Sequence, residues 1–357
     1  MLLIKNGTIL TMAGVTYKSG CVLINKQKIL VVAEKIDESK YNITKTIDAE
    51  GLWVMPGIID AHCHIGITEE KKGFEGDDCN EMTEPITPYI RAIDGINPMD
   101  SAFHNAVCSG ITSVMVGPGS SNVVGGQFAF IKTTGRSIDN MIVLAPAAMK
   151  IAFGENPKTN YNDMEKMPTT RMSIAGMLRE EIFKAVQYKK ENTAIRIALE
   201  FKLNLTLDHC TEGHLIADEI KQSGFPAIVG PSLASRNKIE VQNMDFKTAG
   251  ILSKKGIKVA VTTDHPVTRI QYLPVCAGFA AKEGLGIEEG LKAITINAAE
   301  ICNVSHRVGS LEEGKDADIA IFDGNPMETF TNTIYTLING EVVYDRNKDM
   351  EQQKTEE

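Results

Sequence analysis

Residues 56–64 read P-G-I-I-D-A-H-C-H, and they constrain the fold more than any other part of the chain. The apolar pair Ile58-Ile59 predicts a strand that leads directly into His62 and His64. Residues i and i+2 of a strand point to the same face, so both imidazoles share one side of it. Two imidazoles at the end of a buried strand can bind one divalent cation together. An isolated H-x-H pattern also occurs in cores and on surfaces, but the P-G-I-I-D approach favours half of a metal site.

Between the two ends of the chain, predicted strands alternate with predicted helices. Strands are expected at residues 54–60, 111–116, 127–132, 143–152, 205–209, 227–230 and 258–263. This alternation indicates a parallel sheet with crossover helices. The closed form, a TIM-type (β/α)8 barrel, gathers functional residues at the carboxyl ends of its strands.

The predicted barrel is incomplete. The count is seven strands, or six if residues 127–132 are one arm of an inserted hairpin, whereas a (β/α)8 barrel needs eight. The missing strand falls between Gly154 and Leu205. Amphipathic helices predicted at residues 173–190 and 193–201 are nearly fused there, with no strand between them.

Both ends of the chain are rich in short predicted strands. Residues 1–52 and 318–344 contain such strands, and the last two are joined by an Asn339-Gly340 hairpin turn. Neither end can bury a sheet face alone, so we expect them to combine into one small β-sandwich domain. The predicted organisation is a composite domain of residues 1–52 and 307–350, a barrel of residues 53–306 and a disordered tail of residues 351–357.

Composition limits the partners and the compartment. The formal net charge of -9 argues against nucleic acid or an anionic membrane as the main partner. No apolar run approaches the ~20 residues of a membrane span, and the interrupted apolar pattern of the first residues does not predict a secretory signal. The seven cysteines are scattered without a C-x-x-C pair, which suits reduced thiols. We expect a cytoplasmic protein with a small-molecule substrate, and a homo-oligomer is left open.

The P-G-I-I-D-A-H-C-H segment resembles the first barrel strand of the amidohydrolase superfamily. These are metal-dependent hydrolases that include imidazolonepropionase and dihydroorotase. A second likeness lies at residues 308–318, V-G-S-L-E-E-G-K-D-A-D, which resemble the family's return from the barrel to its small β-domain. The resemblance covers nearly the whole chain and is closest to imidazolonepropionase-like members. The chain departs from the family in the absent strand, which carries an H-x-H-R-like motif in those members.

The resemblance also implies further site residues at the carboxyl ends of later strands. His209, at the end of L-T-L-D-H, becomes a candidate metal ligand or substrate-facing histidine; otherwise it is a rim histidine bonded to a loop. In T-T-D-H-P, Asp264 matches the family's last-strand aspartate, which is a metal ligand and the general base. The plainer interpretation of Asp264 is a helix cap. His265 follows as a supporting or substrate-facing group.

Lys150 and Glu155 are alternative bridging ligands for a pair of metal ions. Members of the superfamily with two metals use a carboxylated lysine or a glutamate from the middle strands. Burying a lysine inside a strand costs free energy unless its ammonium is paired or modified. A buried Lys150 would therefore indicate a functional role, whereas an exposed Lys150 would not. Glu155 lies in a loop with Gly154 and Pro157 and also suits a substrate contact. The sequence does not choose between the two.

The resemblance implies a hydrolase acting on carbon–nitrogen bonds other than peptide bonds. It would cleave a cyclic or linear amide or amidine with metal-activated water, with Asp264 moving the proton and His209 or His265 stabilising the oxyanion. Zn²⁺ is the first choice of metal, while Fe, Mn and Ni suit the same ligands. Because of the absent strand, the alternative is a catalytically impaired relative that only binds metal or a partner. A nucleotide-binding α/β protein is disfavoured, because no phosphate-binding motif is present.

Overall fold

A computed structural model describes residues 1–70, 72–188, 204–236, 238 and 241–356. The strands of this part of the chain are β1 (Leu2–Leu10), β2 (Thr16–Asn25), β3 (Lys28–Ala33), β4 (Lys45–Asp48), β5 (Trp53–Pro56), β6 (Ile58–Cys63), β7 (Ile111–Val116), β8 (Val124–Lys132), β9 (Ile142–Ile151), β10 (Ala227–Val229), β11 (Val259–Val261), β12 (Ile319–Phe322), β13 (Thr333–Ile338) and β14 (Glu341–Asp345). The α-helices are α1 (Ser101–Cys108), α2 (Glu155–Asp163), α3 (Arg171–Tyr188), α4 (Ala217–Ser223), α5 (Lys247–Lys254), α6 (Leu273–Ala280), α7 (Ile287–Ala293), α8 (Ile296–Ile301) and α9 (Arg346–Glu356).

The two ends of the chain combine as predicted, but into one hydrogen-bonded sheet of eight strands rather than the two sheets of a sandwich. The strand order is β14-β13-β12-β5-β1-β2-β3, with β4 pairing β1. The strand β5 joins the two ends, because it pairs with β1 on one side and with β12 on the other. Alternating apolar residues such as Ile4, Ile24 and Ile321 bury one face of this sheet in a common core.

The predicted Asn339-Gly340 hairpin is confirmed between β13 and β14. Both residues have positive φ, 51° and 79°, which is the backbone of a type I′ turn.

The chain passes from this sheet to the α/β part at Gly57. The single strand predicted over residues 54–60 is two strands, β5 and β6, with Gly57 between them. A Cβ at Gly57 would lie 2.1 Å from Thr112 Oγ1 and 2.6 Å from Thr112 Cβ, so only glycine allows this close packing. That contact explains the glycine of the P-G-I-I-D segment.

The α/β part contains a four-stranded sheet, β6-β7-β8-β9, and a parallel pair, β10-β11. The strands β6 and β7 are parallel, while β8 is antiparallel to both β7 and β9. The alternative that residues 127–132 form one arm of a hairpin is therefore confirmed. The loop after β11 reaches β6, since the His64 backbone N–H donates to the His265 carbonyl at 2.8 Å.

Among the described residues, the strands form no closed barrel. In place of the strand predicted over residues 205–209, the structure has a single parallel bridge between Leu207 and Ala227. The described residues between Gly154 and Tyr188 form α2 and α3 and no strand. The second predicted helix, over residues 193–201, lies outside the described residues.

At the C-terminus, where the sequence predicts a disordered tail over residues 351–357, the structure continues α9 to Glu356. This segment holds good helix formers and no glycine or proline. No helix in the described ranges combines the length and the apolar character needed to cross a membrane.

Candidate metal centre

His62 and His64 share one face at the end of β6, as their spacing predicts. The strand is buried along its whole length, and the two side chains are 2% and 9% exposed. Their rings meet edge to face with centroids 5.2 Å apart. The strand alternation thus brings both imidazoles to one point of the interior.

Asp264 and His209 reach the same point from two other segments. Asp264 follows β11 and His209 follows the Leu207 bridge, and both have left-handed backbones with φ of 52° and 51°. Aspartate and histidine are among the residues that tolerate this conformation best. The sharp turn directs both side chains back toward His62, whose ring centroid lies 4.6 Å from that of His209.

The polar atoms of these four residues converge. Asp264 Oδ1 lies 3.5 Å from His62 Nε2 and 3.1 Å from His64 Nε2. Asp264 Oδ2 lies 3.7 Å from His209 Nδ1. One ligand atom from each of His62, His209 and Asp264 falls within 4.8 Å of the others, which is a spacing that one metal ion could bridge.

Hydrogen bonds on the opposite side of each ring determine which nitrogen faces this point. His64 Nδ1 lies 2.6 Å from the Gly117 carbonyl, an acceptor only, so this nitrogen donates. His62 Nδ1 lies 2.9 Å from Asp208 Oδ2 and donates to that carboxylate. In the neutral form of each ring, Nε2 then keeps a free lone pair, as in a carboxylate–histidine–metal arrangement.

Lys150 is buried at the end of β9, and its partners explain its burial. Its ammonium lies 3.7 Å from Asp208 Oδ2 and 3.4 Å from His209 Nε2. It thus faces the site as a charge partner of Asp208, from a strand that shares no ladder with residues 207–209 in the described chain. Its predicted role as a bridging ligand stays a prediction.

The charges around the site change the pKa values of its members. Burial alone would raise the pKa of Asp208, but His62 and Lys150 lower it by a larger amount. The pKa of Asp208 therefore lies well below its ordinary value. Burial also opposes ionisation of Asp264, but His209 and His62 hold its pKa well below the ordinary value. Burial and Lys150 lower the pKa of His209 to about 4, so this imidazole is neutral at pH 7. The two ionised carboxylates attract cations, and against the effect of burial, Cys79 and Asp264 raise the pKa of His64 to about 10.

Two buried atoms support the fit of a metal directly. His62 Nε2 and Asp264 Oδ1 form no hydrogen bond of good geometry among the described residues, although Asp264 Oδ1 lies 3.1 Å from His64 Nε2 and such buried groups are normally satisfied. They face one another across the cluster of imidazoles. A divalent cation bound by nitrogen and oxygen ligands would satisfy both atoms.

His265 and Glu155, the other predicted site residues, lie outside this cluster. His265 is fully buried, its Nδ1 accepts from the Ile270 N–H at 3.1 Å, and burial lowers its pKa to about 4. Glu155 is the first residue of α2 and lines a cavity with Lys158 and Arg171. The roles proposed for both residues stay predictions.

Asp208 is the site residue that the sequence-based prediction missed. It was visible only as the neighbour of His209, and an aspartate at a strand end has many ordinary roles. A carboxylate next to a candidate ligand is a signal for a supporting hydrogen bond to another imidazole. Its partner, His62, is distant in sequence, so the pairing itself required the tertiary structure.

Comparison with known proteins places this geometry in a family context. A profile of the amidohydrolase family matches residues 187–344. The solved structure of an amidohydrolase from Thermotoga maritima superposes with a TM-score of 0.91 at 35% sequence identity, covering 97% of this chain and 100% of that one.

The curated proteins that the chain resembles include an amidohydrolase and a deaminase. The chain is 26% identical to the amidohydrolase tasK of Hapsidospora irregularis over 91% of its own length, but it spans only 40% of that relative. It is 25% identical to a 5-methylthioadenosine/S-adenosylhomocysteine deaminase of Caldicellulosiruptor saccharolyticus, with 96% of this chain and 93% of the deaminase covered. Imidazolonepropionases are also among the relatives, as the sequence predicts.

Proposed function

The chain belongs to the amidohydrolase superfamily, and from this premise we propose that it hydrolyses a C–N bond of a cyclic or linear amide or amidine. Relatives that are hydrolases or deaminases support the reaction class. The observation that carries the proposal is the convergence of His62, His64, His209 and Asp264 on one point. The unpartnered His62 Nε2 and Asp264 Oδ1 there are suited to a metal ion.

We propose His62, His64, His209 and Asp264 as the residues that hold the metal. Zinc is the first choice because it favours imidazole nitrogen and carboxylate oxygen, and Fe, Mn and Ni suit the same donors. When bound, a divalent cation would polarise the carbonyl or imine group next to the scissile bond and would lower the pKa of its bound water from 15.7 to roughly 7. Lys150 and Glu155 remain candidates for a second metal position.

Asp264 is the proposed general base. Its lowered pKa keeps it ionised at neutral pH, so it can take a proton from the attacking water and deliver it to the leaving nitrogen. His209 lies across from it, with Nδ1 3.7 Å from Asp264 Oδ2. His265, or His209 if it does not hold the metal, would then stabilise the oxyanion that develops on the substrate.

The architecture around this site is proposed to be an incomplete (β/α)8 barrel. The parallel strands β6, β7, β10 and β11, with helices between them, support a barrel-like arrangement. We propose residues 53–306 as this unit and residues 1–52 and 307–350 as the composite β-domain. A small-molecule substrate and a cytoplasmic location, supported by seven free cysteines, complete the proposal.

The experiment begins with metal content and a panel of cyclic amides, linear amides and amidines. The purified protein should bind about one or two equivalents of metal and turn over at least one substrate class. Asp264→Asn should reduce kcat by about 10²–10⁴-fold, since that is the usual contribution of a general base. The matched control is Asp218→Asn, because Asp218 is exposed, pairs with Lys255 and is not among the groups that converge at the site. Normal turnover by Asp264→Asn rejects the assignment.

The same panel tests the alternative of a catalytically impaired relative. The described strands form no closed barrel, and this is the observation that favours it. A protein that binds metal stoichiometrically but hydrolyses none of the three substrate classes would support this alternative. A protein that binds no metal after reconstitution would contradict both functions.

A further inference from the structure

Asp60 lies in the middle of β6, two residues before His62, and its side chain is completely buried. It is not one of the converging ligand groups. A buried carboxylate is costly unless hydrogen bonds surround it. Its partners therefore indicate what it is for.

The carboxylate of Asp60 binds the strand opposite. Thr262 Oγ1 lies 2.6 Å from Asp60 Oδ1, and Thr263 donates to Asp60 Oδ2 through its hydroxyl at 2.5 Å and its N–H at 3.2 Å. These threonines directly precede Asp264. Asp60 thus connects β6 with the end of β11 through side-chain contacts.

The two threonine hydroxyls also accept hydrogen bonds from the backbone of the turn that follows β11. Thr262 Oγ1 accepts from the Asp264 N–H at 3.2 Å, and Thr263 Oγ1 accepts from the His265 N–H at 3.2 Å. A hydroxyl has one hydrogen and two lone pairs, so a hydroxyl that donates to Asp60 presents a lone pair to the N–H two residues later. This pattern stabilises the left-handed backbone of Asp264, whose φ is 52°.

Asp60 also contacts the strand that carries the histidines. Its Oδ1 accepts from the His62 N–H at 3.3 Å, and the His62 carbonyl, 2.5 Å from Thr262 Oγ1, shares the single hydrogen of that hydroxyl with Asp60 Oδ1. The backbone on both sides of His62 is therefore bound to the same network that holds Asp264. The network therefore links the backbone of β6 at His62 with the turn that carries Asp264.

We propose that Asp60 is a positioning residue that sets the separation of the metal ligands His62 and Asp264 through Thr262 and Thr263. The inference rests on the proposed metal site. It assigns a function to the aspartate of P-G-I-I-D-A-H-C-H beyond filling the core. Because Asp60 acts through other residues, its replacement changes metal affinity more than fold.

The test compares metal dissociation constants, by chelator competition with Zn²⁺, in isosteric variants. Asp60→Asn has nearly the same shape, but its single amide oxygen can accept only two of the four hydrogen bonds that the carboxylate receives from His62, Thr262 and Thr263. It should weaken Zn²⁺ binding about 10–100-fold, as expected for a group that orients ligands. The matched control is Thr336→Val, which removes a buried hydroxyl bond of 2.6 Å to the Val107 carbonyl away from the site. Thr336→Val should leave the dissociation constant unchanged.

A second pair of variants keeps the test decisive if Asp60→Asn does not fold. Thr263→Val removes the hydroxyl and should weaken Zn²⁺ binding about 10-fold or more, whereas Thr263→Ser keeps it and should restore the affinity. Melting temperatures of the metal-free proteins separate a loss of fold from a loss of affinity.

The outcomes distinguish the two proposals. Wild-type affinity in a folded Asp60→Asn or Thr263→Val protein overturns the positioning role and leaves the metal site intact. A wild-type protein that binds no Zn²⁺ overturns the proposed function and this inference with it.

Discussion

His62 and Asp264 face one another from the first strand of the α/β part and the turn after its last strand, with Nε2 and Oδ1 3.5 Å apart. Neither atom has a hydrogen-bond partner within the described ranges. Two buried groups without hydrogen bonds destabilise the fold, and a cation bound between them would satisfy both. The relationship therefore links the stability of the protein to its metal content.

Metal removal should lower stability. A ligand that binds only the folded state stabilises it by about 2.7 kcal/mol when present at 100 times its dissociation constant. Thermal denaturation should accordingly show a higher melting temperature with Zn²⁺ than after chelation. His62→Ala should abolish this difference, whereas His104→Ala, on an exposed position of α1, should retain it. An equal response to metal in both variants would contradict the site.

Asp208→Asn should weaken metal binding by about 10–100-fold, because Asp208 orients His62 through a bond of 2.9 Å to Nδ1. The same substitution removes the carboxylate that faces the Lys150 ammonium at 3.7 Å. Lys150→Met and the double variant complete a cycle, measured by Zn²⁺ competition. Because the residues interact, the double variant should lose less affinity than the sum of the single losses. Strict additivity would show that Lys150 acts independently of Asp208.

Lys132→Met should destabilise the protein by about 3–5 kcal/mol, the usual cost of breaking a buried ion pair. Lys132 is 3% exposed and pairs with Asp316 and Asp318, which are equally buried, at the junction of the two sheets. The control is Lys28→Met, since Lys28 contacts the same Asp316 but is 51% exposed, and its loss should cost at most about 1 kcal/mol. Urea denaturation measures both, and comparable losses would refute the distinction.

The same cluster predicts a loss of stability in acid. Burial alone would raise the pKa of Asp316, but Lys132, Lys28 and Arg307 together lower it by a larger amount. The pKa of Asp316 in the folded protein therefore lies below its value in the unfolded chain. The unfolded chain therefore binds the proton first, and the stabilisation is complete above the unfolded pKa and lost as pH falls through the folded one. As the pH falls from about 5 through the ordinary carboxyl value of 3.8 to about 2, the unfolding free energy of Asp316→Asn should fall less steeply than that of the wild type. Parallel curves would exclude Asp316 as the cause.

Gly57→Ala should destabilise the protein by about 1–3 kcal/mol through overpacking. The added Cβ would lie within 2.6 Å of three atoms of Thr112. The comparison is Gly176→Ala in α3, where a Cβ meets no described atom within 4 Å, and the helix should gain about 0.5–1 kcal/mol. Opposite changes in the urea midpoint are expected; a tolerated Gly57→Ala would mean that β5 and β6 shift apart readily.

The sequence predicts those features of the site that depend on neighbouring residues, and it does not predict those that depend on contacts between distant segments of the chain. His62 and His64 share a face because the side-chain period of a strand is two residues, and this follows from local backbone geometry. The Asn339-Gly340 hairpin is equally local, since few residues adopt its positive φ values. The apolar run through Gly57, in contrast, predicts one strand, and the packing of Thr112 divides it.

The sequence by itself determined the alternation of strands and helices, the β-rich ends and the histidines of β6. The tertiary structure decided the direction of β8, the single sheet formed by both ends and the pairing of Asp208 with His62. It also decided the approach of Asp264 and His209, which depends on left-handed turns after short stretches of pairing. The physical reason is that backbone periodicity is a property of neighbouring residues, whereas strand pairing and buried hydrogen bonds join segments far apart in the chain.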